Sequence, residues 1–252
     1  MENPVSERRT RSDTNRSKNR DCINGSELGG LFVDGLSLLE TPVRRLARIQ
    51  PDGSSDRLRV LTTCAAAVYD LALAGFDVVE QGHTTLMPAV IRDIDEWSIL
   101  LLAAVGDDSI SEDLMSDRLR WRKVERVAKA QWPENITALL KDWGIASGLV
   151  HHERRLSVTR YWPEGINGAR LLLGANLDCR RTLTWLIRLC RCFGNHLWIL
   201  RNWDGIQNLS QLTDGANTDE AWRDAVDMWR VKFENPSVFT DHLKASLDPS
   251  PP

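Results

Sequence analysis

Arg92 and Glu96 stand four residues apart in a segment that is otherwise rich in apolar side chains. That spacing places both on one face of a helix, and the same face continues through four apolar residues: Ala89, Ile99, Leu100 and Ala103. A charge on an apolar face is costly unless it is paired. The spacing therefore predicts a buried ion pair, in which loss of one partner costs about 3–5 kcal/mol. Such a pair would either form the polar centre of a catalytic pocket or fix the register of the helix.

Ser147 and His151 form a second pair with helical spacing, in a stretch where Gly144 and Gly148 allow close approach of a neighbouring helix. Histidine titrates near neutral pH, so His151 could act as a general base or contact RNA beside a cleft. The alternative interpretation is a core histidine that is hydrogen-bonded to another helix.

Arg191 and His196 form the string R-x-x-x-x-H. It resembles the motif of the HEPN ribonucleases, in which Arg and His from two protomers meet at a dimer cleft. The resemblance implies a homodimer that cleaves RNA without a metal, with Arg191 and His196 as an alternative catalytic pair. Cys192 departs from the pattern, since members usually place a polar residue after the Arg, and the spacing directs the two side chains about 140° apart. The alternative is a solvated arginine and a histidine at the edge of the core.

A second resemblance covers roughly residues 56 to 203, at few fixed positions. The run Met87–Trp97 and the later stretch Ser147–His151 resemble the R-x-x-x-E and S-x-x-x-H helices of an uncharacterised all-helical bacterial family that is grouped near HEPN domains. It implies a helical bundle and a nuclease role in stress or phage defence. The implied catalytic residues are Arg92, Glu96, Ser147 and His151. The R-x-x-x-x-H string would then be coincidental, so the two resemblances compete for the active site.

Hydrophobic periodicity predicts an all-α bundle of about seven or eight helices. The clearest helix is expected from Ala169 to Trp203, where apolar residues recur every seven positions and again four residues after several of these. The stripe consists of Leu172, Cys179, Leu183, Leu186, Cys190, Phe193, Leu197 and Leu200. Arg180, Arg181 and Arg188 lie on the opposite side and are the predicted nucleic-acid-binding residues. The sequence indicates one helical domain over residues 26–247 and a flexible tail at 248–252.

Capping residues and turn residues predict where several of these helices begin and end. Thr41-Pro42 is expected to restart a helix, because proline is favoured at the first helical position. Ser54 or Ser55 is expected to cap a long helix from Asp56, and Gly82 to end it. A single charged helix is expected over residues 112–131.

Residues 1–25 are polar and rich in arginine, with almost no large apolar side chains. Such a segment buries too little surface to offset the chain entropy of ordering, so the composition predicts a disordered arm. The arm would be either a solvated leader or a basic segment that touches nucleic acid or an acidic partner.

The overall composition excludes several classes of function. Net charge is −3 over 252 residues, so the whole molecule is not an evident nucleic-acid binder. Five cysteines without a C-x-x-C pair indicate reduced thiols in the cytoplasm. Asp93 and Asp95 point about 200° apart on a helix, which is poor for one metal ion, and no cofactor motif occurs. No segment suggests a membrane span. RNA and a second copy of the chain are the expected partners, and the alternative is a non-catalytic interaction module with a structural buried polar cluster.

Overall fold

The computed structural model describes residues 4–48, 55–83, 86–133, 136, 137, 139–141, 143, 144, 179–203 and 216–235. The helices with defined bounds in these ranges are α1 (Pro4–Asn24), α2 (Glu27–Arg48), α3 (Asp56–Glu80), α4 (Met87–Gly106), α5 (Asp108–Met115), α6 (Trp121–Gln131), α7 (Cys179–Asn202) and α8 (Ala216–Glu234). No strand occurs within the described ranges, and the all-α prediction is confirmed. The tail at 248–252 lies outside them.

Helices α3, α4 and α7 pack on one another and form the centre of the bundle. Helix α4 also contacts α5 and α6, and its apolar sequence is buried along most of its length, as expected for a central helix. The apolar stripe of α7 is buried at Leu183, Leu186, Cys190, Phe193, Leu197 and Leu200, whereas Cys179 at the start of the helix is exposed. The core therefore follows the predicted periodicity.

Helix α2 runs without interruption through Pro42, although Thr41-Pro42 predicted the start of a new helix. Pro42 has no N–H to donate to the carbonyl of Leu38, so that acceptor loses its usual helical partner. The indole Nε1 of Trp222 on α8 donates to this carbonyl at 2.9 Å. A partner distant in sequence thus supplies the hydrogen bond that proline removes, and the helix continues.

A second tryptophan fixes α8 on α2 one heptad further along. The indole Nε1 of Trp229 donates to the carbonyl of Leu31 at 2.7 Å, and its ring lies 5.7 Å from that of Phe193 between centroids. Gly35 makes room for both rings, because a Cβ there would lie 2.7 Å from a ring atom of Phe193 and 2.9 Å from one of Trp229. The contact between α2, α7 and α8 therefore depends on the absence of a side chain at position 35.

The caps of α3 confirm its predicted bounds. The Ser55 hydroxyl accepts from the amide N–H of Leu58, and Gly82 has a φ of 77° just beyond the helix. The charged helix predicted over residues 112–131 is instead divided into α5 and α6. Asp107 caps α5 by accepting from the amide of Ser109, and Asp117 adopts a φ of 55° between the two helices. This left-handed residue turns the chain, so the single-helix prediction was wrong.

Helix α1 occupies the segment for which the composition predicted disorder. From residue 13 onward, where its side chains are described, the buried ones are Asn15, Asn19 and Ile23, which recur every fourth residue and form one stripe along the helix. This stripe packs on α2, α3 and α7. The prediction of disorder rested on the scarcity of apolar residues, whereas the described side chains of α1, from residue 13 onward, make mainly polar contacts.

A disulfide joins Cys22 of α1 to Cys179 at the start of α7, with the two Cα atoms 5.9 Å apart. The expectation that all five cysteines are reduced thiols is therefore corrected for this pair. The other three, Cys64, Cys190 and Cys192, are buried. Desolvation raises the pKa of the Cys64 and Cys190 thiols well above the usual range. Cysteine spacing does not indicate this pair, because 157 residues separate its members.

Among the described helices, α3 alone is long and apolar enough to cross a membrane by length and composition. Core helices of folded domains meet the same criterion. In the bundle α3 buries nine residues and packs against α2, α4 and α7.

Candidate functional site

The buried polar centre of the described bundle is a serine–histidine pair between α4 and α7. Ser98 and His196 have no solvent-exposed surface, and Ser98 Oγ lies 3.1 Å from His196 Nδ1. The Ser98 hydroxyl also lies 2.8 Å from the carbonyl of Ile94 and can donate to it. When it does, the imidazole donates its Nδ1 proton to Ser98, and Nε2 carries the lone pair. The contact with Ser98 fixes the orientation of the imidazole, and the tautomer follows from which of the two groups donates.

Burial determines the charge state of His196. Desolvation lowers the pKa of its imidazole to about 3, so the ring is neutral at physiological pH. Its Nε2 is buried without a hydrogen-bond partner. A general acid or base needs a pKa near the working pH and a path to its substrate, and His196 has neither in this conformation.

Asp95 is a second buried polar residue of α4. It precedes Ser98 by three residues, which places the two on neighbouring positions of one helix face, and its side chain is fully buried. From the sequence, Asp95 was considered only as a metal ligand. Within the described ranges, no group of three or more His, Cys, Asp or Glu side chains could hold a metal ion.

The Arg92–Glu96 pair forms as predicted, but near the surface. Arg92 Nη2 lies 3.3 Å from Glu96 Oε2, and the side chains are 27% and 39% exposed. The expected burial is therefore corrected. The buried face of α4 turns inward beside this pair, through Ile91, Ile94 and Ser98, and leaves the ion pair at its edge.

We expect the coupling between Arg92 and Glu96 to be weak. Water screens a partly exposed i,i+4 pair, so a double-mutant cycle with Arg92→Ala and Glu96→Ala should give a coupling below about 1 kcal/mol. Urea unfolding of the wild type, both single variants and the double variant measures it. A coupling of about 3 kcal/mol or more would restore the buried-pair interpretation.

The two residues of the R-x-x-x-x-H string lie in different environments. The side chain of Arg191 is exposed on α7, whereas that of His196 is enclosed in the core. The described structure therefore does not bring them together in one chain. A second protomer could approach Arg191, but it would meet His196 only after α4 and α7 had separated.

The remaining predicted site residues are described only in part. Arg188 is exposed, and its guanidinium lies 4.9 Å from the ring centroid of Trp185. Arg180 and Arg181 lie on α7, but their side chains are outside the description. Ser147 and His151 fall outside the described residues altogether, so the geometry of the proposed Arg92, Glu96, Ser147 and His151 centre stays a prediction.

A second polar cluster surrounds Glu80 at the end of α3. Its buried carboxylate accepts from Arg16 Nε and from Arg20 Nε, each at 2.6 Å, and Asn19 Nδ2 donates to its backbone carbonyl at 3.0 Å. The Arg20 hydrogen bond, followed by Arg16, holds the pKa of the Glu80 carboxyl below its usual range, although burial opposes this. The Thr182 hydroxyl of α7 completes the cluster by donating to Asn19 Oδ1 at 3.1 Å.

Ser98 and the Glu80 cluster were not predicted from the sequence, and His196 was predicted either at a dimer cleft or at the edge of the core. One pattern could have located the histidine: His196 falls three residues after Phe193 and four before Leu200, hence on the apolar stripe. Ser98 similarly interrupts the apolar run of α4. No local pattern links Glu80 to arginines more than fifty residues away.

Comparisons of the chain with protein-family models, with curated proteins and with solved structures found no match.

Proposed function

We propose that this chain is a non-catalytic helical interaction module whose buried polar residues hold the bundle in register. The observation that supports it is the enclosure of His196. A neutral, fully buried imidazole that is hydrogen-bonded to Ser98 specifies how α4 and α7 align, and it is poorly suited to proton transfer. The partly exposed Arg92–Glu96 pair is consistent with a surface ion pair.

The outward face of α8 offers a surface through which such a module could act. Met228 and Val231 are 60% and 71% exposed and lie three residues apart, hence side by side on the helix. The opposite face of α8, which carries Trp222 and Trp229, packs against α2 and α7. The exposed pair is therefore available while the fold stays intact.

RNA binding is a second candidate, and the Arg188–Trp185 stack favours it. An exposed guanidinium beside an aromatic ring on the outer side of α7 can contact phosphate or stack on an unpaired base. RNA cleavage, as implied by the HEPN-like resemblance, would require His151 as acid or base and Arg92 to stabilise phosphate charge.

One experiment separates these proposals. The purified full chain is incubated with single-stranded RNA in the presence of a chelator, and both cleavage and binding are measured at several salt concentrations. The interaction module predicts neither, and Arg188→Ala leaves the result unchanged. Binding that weakens in Arg188→Ala would support the RNA-binding candidate. Cleavage that is lost in His151→Ala, with the helical circular-dichroism spectrum retained, would overturn the module and support a ribonuclease.

A further inference from the structure

Helix α1 is attached to the bundle by an unusual set of contacts. Between residues 13 and 24, Ile23 is the one large apolar side chain, and the other buried residues are the amides Asn15 and Asn19. A segment that buries so little apolar surface gains little from the hydrophobic effect. Its position on α3 and α7 therefore depends on the ion pairs to Glu80, on the Asn19–Thr182 hydrogen bond and on the covalent bond to Cys179.

These contacts lie close together along α1. Cys22 follows Asn19 by three residues, and on α7 Thr182 follows Cys179 by three, so the disulfide and the hydrogen bond join the same two helix faces one turn apart. Arg16 and Arg20 reach Glu80 from the adjoining face. Loss of the covalent bond would leave the polar contacts and the buried Ile23 to hold this part of the helix.

The bond is also open to attack. Cys179 is exposed and Cys22 is half-buried, whereas the thiols of Cys64 and Cys190 are buried with raised pKa values. A disulfide exchanges only when a thiolate can reach one of its sulfurs. Cys22 and Cys179 are therefore the cysteines at which the solvent redox state can act on the folded chain.

We propose that α1 is a redox-controlled latch, docked while Cys22 and Cys179 are joined and released when they are reduced. A dithiol reductant supplies two electrons and two protons: its thiolate attacks one sulfur, the mixed disulfide resolves to the cyclic disulfide of the reductant, and two protein thiols remain. Release uncovers the Glu80 carboxylate, together with the parts of α3 and α7 that α1 covers. This inference does not depend on the proposed function, because it concerns only the docking of α1.

Hydrogen exchange on the full chain, oxidised and then treated with dithiothreitol, tests the latch. Reduction should speed exchange of the α1 amides by about tenfold or more, while amides of α4 keep their protection. Iodoacetamide under native conditions should add two groups to the reduced protein and none to the oxidised one. The double variant Cys22→Ser/Cys179→Ser should exchange rapidly at α1 with or without reductant. Glu80→Gln, which keeps the shape of the side chain, should loosen α1 even in the oxidised protein.

Three results would overturn the latch. Equal protection of α1 in both redox states would show that the polar contacts suffice. Equal acceleration in α1 and α4 would show that the disulfide stabilises the whole fold rather than one helix. Absence of alkylation at Cys22 and Cys179 in the reduced protein would show that these thiols stay enclosed and that α1 stays docked.

Discussion

Replacement of Trp229 by alanine is expected to lower the free energy of unfolding by about 3–5 kcal/mol. Its ring is 5% exposed, contacts Phe193 and stacks on Phe233 with centroids 5.2 Å apart. Its indole N–H also donates to the carbonyl of Leu31 on α2. The truncation would open a cavity where α2, α7 and α8 meet and remove a hydrogen bond between α8 and α2. Urea unfolding followed by circular dichroism measures the change.

The adjacent residue provides a matched control. Met228 lies on the outward side of the same helical turn and is 60% exposed, so Met228→Ala should change the free energy of unfolding by less than about 0.5 kcal/mol. Trp229→Phe keeps a ring but loses the donor, and should fall between the two. Equal stability of Trp229→Ala and Met228→Ala would mean that α8 does not pack on α2 as described.

Acidification from pH 7 to pH 5 is expected to reduce stability by about 2 kcal/mol through His196 alone. The unfolded histidine takes up a proton near its ordinary pKa of 6.5, whereas the folded ring stays neutral until about pH 3. Between these two pKa values the unfolded state binds more protons than the folded state. The free energy of unfolding therefore increases as the pH rises and decreases as the pH falls. The Glu80 carboxyl, whose pKa is lowered, affects stability below the ordinary carboxyl pKa of 4.5, which lies outside the range from pH 7 to pH 5.

His196→Gln should flatten this dependence, because glutamine does not titrate. Unfolding curves at several pH values between 5 and 7, for wild type and variant, give the two slopes. Nuclear magnetic resonance of the imidazole ring in the folded wild type provides a measurement that does not depend on the variant. A ring that titrates near pH 6.5 without unfolding would show that His196 is solvated, and would reopen its role as an acid or base.

Local patterns were sufficient to predict the helices of the core. The seven-residue recurrence in α7 and the cap and stop residues of α3 depend on neighbours within one or two turns, so they can be read directly from the sequence. The interruptions were harder to predict. Pro42 continues a helix because Trp222 supplies a donor from 180 residues away, and Asp117 adopts a conformation that favours glycine.

The site depends on contacts between residues that are far apart in the sequence. Such contacts leave no local sequence pattern. The spacing of Arg92 and Glu96 predicted the ion pair, but its exposure depends on how α4 turns against α3 and α7. Ser98 and His196 meet across 98 positions of chain. The segment that forms helix α1 was predicted to be disordered because its own composition is polar. That composition gives no information on its partner, the buried carboxylate of Glu80.

The hydrogen bond from Trp222 to the carbonyl of Leu38 has a consequence for synthesis on the ribosome. The chain emerges from its N-terminus, so α2 is made long before α8. Until position 222 has been translated, the Leu38 carbonyl has neither its own helical donor nor the indole, and water must occupy it. The second half of α2 is therefore completed late, by contacts that join residues 184 and 198 positions apart, and such long-range contacts form slowly. Nascent chains that stop before α8 should expose the face of α2 that Trp222 and Trp229 later cover.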